Sequence, residues 1–419
     1  MNYKYNKPMR LSELFAKTQR TPPKDEESKN AKLLEQAGFI QKLSAGVYTF
    51  LPLGLRVLNK IEDIVREEMN KAGGVEILMP ALHPKENWEV TGRWQAFDAL
   101  FKTKSNFGGE YALGPTHEEV LYALLKKHIS SYRDLPVYIY QIQTKFRDEK
   151  RPKAGLLRAR EFRMKDLYSF HANDEDRDRY YEVMKKSYAE IFKKLGLAAI
   201  PTVASGGTFS ELSMEFQVAS EAGEDTIFLC DKCNEAINKE VAKNENSKCS
   251  NCGGDAKEIK AIEAGNIFPL KEKYADDFNL NFKDEAGKEK LVSAGCYGLG
   301  TSRVMGIIAE VMSDEKGLIW PKNAAPFALH LIAVGESPKV KKTGEKLYAG
   351  LIASGCEVLY DDRAERTAGE KFADADLLGI PLRAVVSEKT LGTDSVELKE
   401  RDSETVRLEN IKTFLEKHV

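Results

Sequence analysis

Two stretches near the middle of the chain alternate apolar and polar residues, and this pattern constrains the fold more than any other. They are residues 138–146 and 158–164, and the break between them contains Pro152 and Gly155. Alternation is typical of β-strands, in which successive side chains point to opposite faces. The pattern therefore predicts two antiparallel strands joined by a long loop.

The same region is strongly basic. Residues 141–170 hold nine Lys/Arg and four Asp/Glu, whereas the whole chain carries a formal net charge of −2. On a strand that runs far enough, Arg147 and Glu149 would share one face. The return strand would present a second set on one face: Arg158, Arg160, Phe162 and Met164. Such a surface would suit a nucleoside triphosphate, although a solvated charged hairpin has the same composition.

Length and composition indicate an ordinary globular protein. The 419 residues are enough for two or three domains, and 42% of them are hydrophobic while 31% are charged. The first ten residues contain no apolar segment of the secretory kind, and no run of about eighteen apolar residues occurs. Neither secretion nor a membrane span is predicted, and a cytoplasmic location is expected.

Four of the six cysteines form two CxxC pairs separated by fifteen residues: Cys230, Cys233, Cys249 and Cys252. This spacing is typical of a four-thiolate zinc site of the zinc-ribbon kind. Another metal or a redox-labile cluster would give the same pattern. Because a site closed by four thiolates leaves no open position, zinc is expected to fold this module and to take no part in chemistry.

Two short segments outside the basic region have the pattern of a helix start. Thr116 is followed by Glu118 and Glu119, which predicts a helix capped by Thr116. Alternatively, Thr116 and Glu118 hold the ammonium group of a ligand. Gly295, Gly298 and Gly300 are expected to form a flexible turn before a helix that starts at Thr301, a general anion-binding arrangement. It is not a dinucleotide fingerprint, because Arg303 stands where the third glycine would be.

The last hundred residues have the pattern of a separate small domain. Residues 320–326 read as a linker. Strand and helix patterns then alternate over 328–334, 340–354, 357–360, 369–378 and 382–386, followed by a hairpin at 395–408 and a final helix. This order predicts an α/β domain with a mixed sheet. Residues 361–366 would lie where its strands end, a common place for ligand contacts.

Six segments together resemble one enzyme family. GPTHEE at 114–119, QTKFRDE at 143–149 with RAREF at 158–162, and GCYGLGTSR at 295–303 resemble the signatures of bacterial-type prolyl-tRNA synthetases. RVLNKIEDIVREEM at 56–69 resembles motif 1 of class II synthetases, through which they form dimers. Residues 361–381 resemble the anticodon-binding domain that several of them share. The matches cover nearly the whole chain, in the family's order.

The resemblance implies an α/β architecture in three parts. Residues 1–325 would form an α+β catalytic domain, with a class II antiparallel sheet and flanking helices. Residues 225–260 would be a small four-cysteine insert in place of the long editing domain of many bacterial members. Residues 326–419 would form the anticodon-binding domain. The implied enzyme is a homodimer that converts L-proline and ATP, with Mg²⁺, to prolyl-adenylate and pyrophosphate and then transfers proline to tRNA(Pro).

The resemblance also assigns residues to ATP and to proline. Six would surround ATP: Arg147, Glu149, Arg158, Phe162, Glu263 and Arg303. Among them, Arg147 would also contact the proline carboxylate, and Arg147 and Arg303 would be the catalytic cations. Glu149 would accept from the adenine amino group and Phe162 would stack on adenine. Thr116 and Glu118 would hold the ammonium group of proline.

Basic residues in two loops are assigned to tRNA. The anticodon contacts would be Arg363, Arg366 and Lys371, and the acceptor end would meet Lys150, Arg151 and Lys153. The chain departs from the family at Met214 and Asn266, where other members commonly have histidine. Three alternatives remain at this point: a class II enzyme for another amino acid, a related protein that binds without catalysis, and a zinc-ribbon nucleic-acid protein.

Overall fold

The structure is a computed structural model that describes residues 9–152, 154–242, 248–249 and 252–418. Its backbone divides into two compact units. One comprises residues 44–47 and 61–307, and the other comprises residues up to 43, 48–60 and the chain from 308 onward. Within the described ranges, none of the helices has both the length and the apolar character that crossing a membrane requires.

A nine-stranded sheet forms the centre of the unit that contains residues 61–307. Its strands follow one another across the sheet in this order: Leu212–Ala219, Ala199–Ser205, Ala236–Asn238, Asp225–Cys230, Ala256–Lys271, Ser293–Leu299, Glu161–His171, Val137–Phe146 and Val75–Glu76. Leu212–Ala219 and Ala256–Lys271 also pair, although they are not neighbours in this order. Seven pairings, this one included, are antiparallel. The Ala199–Ser205 pairing with Ala236–Asn238 and the edge pairing of Val75–Glu76 are parallel. The predicted antiparallel sheet is confirmed.

The two strands predicted from alternation are neighbours in this sheet, and we call them the central hairpin: Val137–Phe146 and Glu161–His171. They pair antiparallel, with Val137 opposite Phe170 and Phe146 opposite Glu161. The return strand begins later than predicted, because the buried residues Leu156 and Leu157 form a 3₁₀ turn at Gly155–Leu157. Arg158 and Arg160 therefore precede the strand, and the prediction that they share its face with Phe162 is wrong.

The chain up to residue 318 also contains helices and small sheets. The helices up to residue 311 are Lys29–Gln36, Pro52–Lys71, Lys85–Val90, Arg93–Ala96, Glu118–Leu125, Asp174–Lys194, Lys273–Phe278 and Thr301–Val311. The small sheets are Leu82–Pro84 with Glu110–Leu113 and Phe101–Lys104, Asn281–Lys283 with Glu289–Leu291, Ile40–Ser44 with Val47–Phe50, and Ser313–Asp314 with Gly317–Leu318. The Pro52–Lys71 helix confirms the amphipathic helix predicted there, since Ile61, Val65 and Met69 are fully buried.

The glycine-rich segment before Thr301 is a strand for most of its length. Gly295 and Gly298 lie within Ser293–Leu299, and only Gly300 separates this strand from the helix. A β-carbon on Gly295 would lie 2.3 Å from the Tyr297 hydroxyl oxygen. Glycine is thus needed here for close packing rather than for a turn, and the predicted flexible turn is wrong.

The other unit contains a six-stranded mixed sheet, as predicted for the end of the chain. Its order is Met9–Arg10, Val358–Asp361, Leu329–Val334, Leu382–Ser387, Ser395–Glu400 and Val406–Asn410. The first four strands are parallel to one another. Ser395–Glu400 is antiparallel to both of its neighbours, Leu382–Ser387 and Val406–Asn410. The helices of this part are Pro338–Ala353, Ala368–Leu378, Glu388–Leu391 and Ile411–His418. The edge strand Met9–Arg10 was not predicted.

Residues 320–326 do not form an exposed linker. Trp320, Ala324 and Ala325 are buried. The Trp320 indole N–H donates to the Leu378 carbonyl oxygen over 3.1 Å. The segment therefore packs within the unit that contains the C-terminal sheet, whereas the domain boundary between residues 325 and 326 stays a prediction.

Candidate active site

The central hairpin ends at Arg147, and the GPTHEE segment begins beside it. The Phe146 amide donates to the Gly114 carbonyl oxygen over 3.1 Å, and the Arg147 amide donates to the Arg160 carbonyl oxygen over 2.8 Å. A cavity of about 240 Å³ opens here. Its lining is Glu149, Ala154, Leu157, Arg158, Ala222, Glu224, Asp225, Ile262, Glu263 and Arg303. The structure thus brings four of the six residues assigned to ATP into one cavity.

Arg147 and Phe162, the other two, lie against each other. The Arg147 guanidinium carbon is 5.2 Å from the centre of the Phe162 ring. Nε of Arg147 is buried and has no hydrogen-bond partner among the described residues. Desolvation and the positive charge of Arg303 lower the pKa of Arg147. A buried donor beside a second cation indicates a position for an anionic group, because an anion would satisfy the donor and relieve the repulsion.

The remaining cations of the cavity are paired with carboxylates. Nε of Arg158 lies 2.8 Å from Glu149, and its Nη1 lies 2.7 Å from Glu224. Nη1 of Arg303 lies 2.7 Å from Glu263. Carboxylates are also the ligands that Mg²⁺ takes when it binds together with nucleotide phosphates. The cavity therefore has the charged groups that a Mg²⁺–nucleotide complex needs.

Glu215, near the cavity, was missed by the sequence reasoning. Asn266 donates to Glu215 Oε1 over 3.2 Å, and Gln217 donates to Oε2 over 2.7 Å. Burial and the charge of Glu263 raise the pKa of Glu215 to about 8. The same Gln217 amide donates to Asp225 over 2.8 Å. Asn266, one of the two departures from the family, thus holds a buried carboxyl group.

Thr116 and Glu118 contact each other, but Thr116 does not cap the helix. The helix is Glu118–Leu125, its N-cap residue is His117, and no side chain caps it, so the predicted cap is wrong. Instead the Thr116 hydroxyl donates to Glu118 Oε2 over 2.5 Å. Glu118 is fully buried, and the Cys296 thiol is 3.5 Å from its Oε1. A buried carboxylate beside a hydroxyl group can accept hydrogen bonds from an ammonium group.

Arg93, which the sequence reasoning also missed, lies beside Glu118 and the next residue, Glu119. Its Nη1 lies 2.7 Å from Glu119 and 3.6 Å from Glu118. Its guanidinium carbon lies 4.9–5.8 Å from the ring centres of Trp88, Phe97, Phe209 and Tyr274. Burial raises the pKa of Glu119 to about 7. Arg93 keeps one positive charge beside two buried carboxyl groups.

A buried ion pair fixes the backbone before Glu118. Lys145 Nζ lies 2.8 Å from Asp166 and donates to His117 Nδ1 over 2.5 Å. Because an ammonium group can only donate, Nδ1 of His117 must accept and Nε2 must carry the ring proton. Nε2 then donates to the Pro80 carbonyl oxygen over 3.1 Å. The ring is held at both nitrogens.

The four predicted zinc ligands lie together. Their sulfur atoms are all within 4.8 Å of one another. The Cys230–Cys252 and Cys233–Cys249 sulfur distances are 3.5 and 3.7 Å. A tetrahedral zinc with Zn–S bonds of about 2.3 Å requires about 3.8 Å between sulfurs. A β-carbon on Gly254 would lie 3.1 Å from the Cys230 sulfur, so glycine leaves room for the cluster. The residues fit a four-thiolate zinc site.

The residues assigned to tRNA differ in accessibility. Arg363 lies 2.7 Å from Asp361 and 2.8 Å from Asp374, and the buried Lys371 ammonium group donates to the Ala333 carbonyl oxygen over 2.6 Å. The Arg366 side chain is 40% exposed, although it lies 2.9 Å from Glu370. Lys150 and Arg151 are exposed in the hairpin loop. Lys153 lies outside the described residues.

Two protein families match the chain. Residues 101–312 match the class II tRNA synthetase core domain (G, H, P, S and T), and residues 329–418 match the anticodon-binding domain. The proline–tRNA ligases of Bacillus mycoides (strain KBAB4) and Bacillus cereus (strain G9842) are each 34% identical over 563 aligned positions, which cover 97% of this chain and 99% of each relative. Since the alignment is longer than this chain, each relative has a long segment without counterpart here.

The chain is also similar to solved structures. The prolyl-tRNA synthetase of Cryptosporidium parvum, complexed with halofuginone and AMPPNP, aligns with a TM-score of 0.77 at 20% identity, covering 93% of this chain and 73% of that one. The Giardia lamblia enzyme, in complex with prolyl-adenylate, aligns with a TM-score of 0.77 at 20% identity, covering 92% and 75%. At this identity the likeness establishes the fold.

Proposed function

The chain belongs to the prolyl-tRNA synthetase family, and on that premise we propose how its own residues perform the family's reaction. The enzyme activates L-proline with ATP and transfers the proline to tRNA(Pro). The observation that carries the residue assignment is the position of Arg147. Its buried Nε has no hydrogen-bond partner among the described residues, and its charge interacts both with Arg303 and Glu263 of the cavity and with Glu118.

The first step joins two anions, which explains the cations. An oxygen of the proline carboxylate attacks the α-phosphorus of ATP, the bond from the α-phosphorus to the bridging oxygen breaks, and pyrophosphate leaves. Arg147 contacts both the carboxylate and the α-phosphate, and so offsets their repulsion. No protein base is required, because the carboxylate is already ionised at neutral pH. Positioned cations are the main requirement of phosphoryl chemistry of this kind.

We assign the cavity to ATP. Phe162 stacks on adenine, Glu149 accepts from the adenine amino group, and Arg158 and Arg303 bind the phosphates. On binding, Arg158 and Arg303 exchange carboxylate partners for phosphate oxygens. Cavity carboxylates such as Glu263, together with the phosphates, would hold Mg²⁺, which would supply further charge neutralisation.

We assign the buried Thr116–Glu118 pair to the secondary ammonium group of proline. That group has two N–H bonds, which the Glu118 carboxylate and the Thr116 hydroxyl oxygen accept. The hydrogen bonds at both nitrogens of His117 hold the backbone that carries them. In the second step a ribose hydroxyl of the terminal tRNA nucleotide attacks the prolyl carbonyl carbon, and AMP leaves.

Zinc at the four cysteines is part of the proposal, in a structural role. The sulfur distances and the room left by Gly254 support it. Zinc would join the Asp225–Cys230 strand to the start of the Ala256–Lys271 strand. Both strands contribute residues to the ATP cavity, Asp225 and Glu263.

We further propose a cytoplasmic homodimer that reads tRNA(Pro) through its C-terminal domain. Val75 and Leu78 are 62% and 76% exposed, and Val75–Glu76 is an edge strand of the nine-stranded sheet. Exposed apolar residues at an open sheet edge favour association with a second copy. Arg366 is the best placed of the three tRNA candidates, because its side chain is 40% exposed, whereas those of Arg363 and Lys371 are 13% and 2% exposed.

Proline-dependent exchange of pyrophosphate into ATP tests the proposal. Exchange should depend on proline and remain at background with alanine, cysteine or threonine. Exchange with a different amino acid would point to another class II specificity. If the protein bound ATP but catalysed no exchange with any amino acid, it would be a nucleotide-binding protein without catalysis. The residue assignment would then be wrong.

A further inference from the structure

A small hairpin next to the active site carries a fully exposed phenylalanine. The hairpin consists of Phe101–Lys104 and Glu110–Leu113, paired with Phe101 opposite Leu113 and Lys104 opposite Glu110. Leu82–Pro84 pairs with its second strand, so the hairpin belongs to a three-stranded sheet. We call residues 105–109 the tip. Phe107 is 101% exposed, the most exposed large hydrophobic residue in the described part of the chain.

Both ends of this hairpin are attached to the neighbours of Arg147. At the end of the second strand, the Gly114 carbonyl oxygen accepts from the Phe146 amide over 3.1 Å. Before the first strand, the Ala99 carbonyl oxygen accepts from the Asp148 amide over 2.9 Å. These backbone hydrogen bonds position the tip relative to the reacting groups. A strand of four residues advances about 10 Å, and the tip adds a few Å more. Phe107 therefore lies roughly 15 Å from Gly114 along the hairpin.

The tip has a defined backbone that presents Phe107 outward. The Ser105 hydroxyl oxygen accepts from the Phe107 amide over 3.2 Å, and the Ser105 amide donates to the Gly109 carbonyl oxygen over 3.1 Å. Gly108 and Gly109 have φ values of +93° and +84°, which L side chains rarely adopt. A phenylalanine ring held in water by a turn of fixed geometry is unfavourable in free energy, and a binding partner that covers the ring would recover this free energy.

The charges beside Phe107 indicate what kind of partner this is. Lys102 and Lys104 are exposed on the adjoining strand and share one of its faces. The carboxylate opposite Lys104, Glu110, lies 2.7 Å from Lys85. Neither Lys102 nor Lys104 has a carboxylate within 4 Å in the described ranges. Lys102 Nζ lies 5.1 Å from the centre of the Trp94 ring, a contact that leaves its charge without a counter-ion. Lysines without a carboxylate partner beside an exposed aromatic ring are the combination that binds single-stranded nucleic acid, through phosphates and base stacking.

We propose that Lys102, Lys104 and Phe107 guide the unpaired 3′ end of the tRNA into the active site. An unpaired base stacks on Phe107, and the lysines bind the phosphates that follow it. A stacked strand advances about 3.4 Å per nucleotide, so roughly four nucleotides span the hairpin from its tip to its base at Gly114. This inference rests on the proposed function, since it assigns a surface to that reaction's second substrate.

The test separates the two steps of the reaction, using the full-length enzyme. Phe107→Ala and Phe107→Leu should leave proline-dependent pyrophosphate exchange unchanged. Both should lower kcat/KM for tRNA in aminoacylation by fivefold to about a hundredfold, the range expected for loss of one stacked base. Phe107→Trp should aminoacylate tRNA as well as the wild type does, because tryptophan keeps a ring on which a base can stack. Phe15→Leu, at an 84% exposed phenylalanine elsewhere, is the matched control and should have no effect.

The leucine variant decides between stacking and plain apolar contact. Aminoacylation by Phe107→Leu at the wild-type rate would overturn the inference. A change of oligomeric state in the Phe107 variants would also overturn it, because the hairpin tip would then be a subunit contact. The double variant Lys102→Ala/Lys104→Ala should reduce the slope of log(kcat/KM) for tRNA against log[salt] by about 1.4, since each phosphate of a single strand contributes about 0.7. An unchanged slope would contradict the role of the lysines. If the wild type showed no proline-dependent exchange, the proposed function itself would fail.

Discussion

At the scale of single residues, the active site is a set of charges whose partners change when substrates bind. Arg158 and Arg303 have carboxylate partners, whereas Nε of Arg147 finds no hydrogen-bond partner in the part of the chain that the structure describes. Removing Arg147 therefore costs no hydrogen bond at Nε. Its contribution belongs to the reaction rather than to folding, and the two can be measured separately.

Arg147→Ala should abolish adenylate formation without unfolding the protein. Loss of one charge-assisted donor in a site of this kind typically lowers the rate a hundredfold or more. Pyrophosphate exchange measures the loss, and thermal unfolding should show a melting temperature close to that of the wild type. Near-normal exchange by the variant would contradict the role of Arg147.

A second residue gives a prediction about pH. Lys165 is fully buried, and its ammonium group donates to the Tyr188 hydroxyl over 2.8 Å and to the Tyr297 carbonyl oxygen over 2.9 Å. Burial lowers its pKa from 10.5 to about 7. Between these values the unfolded chain holds a proton on Lys165 that the folded protein has released. The contribution of Lys165 to the free energy of unfolding therefore rises with pH across this window.

Lys165→Met should remove that contribution. Relative to the variant, the wild type should gain stability as the pH rises from 7 toward 10, by up to about 1.4 kcal/mol per pH unit. Urea unfolding at several pH values measures the difference. Lys186→Met, at an exposed lysine of the Asp174–Lys194 helix, is the control and should follow the wild type. Parallel pH profiles for the wild type and Lys165→Met would contradict the prediction.

At the scale of elements, local patterns predicted the strands and helices but not the contacts between them. The central hairpin, the Pro52–Lys71 helix and the C-terminal mixed sheet follow from periodicity. The start of the return strand does not, because the burial of Leu156 and Leu157 sets it. Arg93 was missed since its role depends on aromatic rings from distant segments. Gly295 was misinterpreted as a turn residue because its packing against Tyr297 is a tertiary contact.

The cysteine cluster gives a prediction at this scale. Cys230→Ser should lose bound zinc and melt several degrees below the wild type, while keeping exchange activity at temperatures where it remains folded. Metal analysis and thermal unfolding measure this. Cys356→Ser, at a half-buried cysteine outside the cluster, is the control. Full zinc content or unchanged melting in Cys230→Ser would show that the cluster does not stabilise the module.

At the scale of the whole molecule, the proposed homodimer depends on the exposed edge of the nine-stranded sheet. Leu78→Lys should convert dimers to monomers, because a charged side chain would be buried without a partner in the interface. The same change costs little in a single chain, where Leu78 is already 76% exposed. Light scattering after gel filtration measures the mass. Val183→Lys, 43% exposed on another surface, should leave it unchanged.

The edge strand Met9–Arg10 has a consequence for synthesis of the protein on the ribosome. It pairs with Val358–Asp361, and the Ser12 hydroxyl donates to Asp362 over 2.8 Å, across 350 positions of sequence. An early strand thus joins a sheet whose other strands lie between residues 329 and 410. The strand Met9–Arg10 therefore waits for its partner Val358–Asp361 until that segment has left the ribosome. A C-terminal fragment made alone would keep an open edge, where strands of neighbouring molecules can pair.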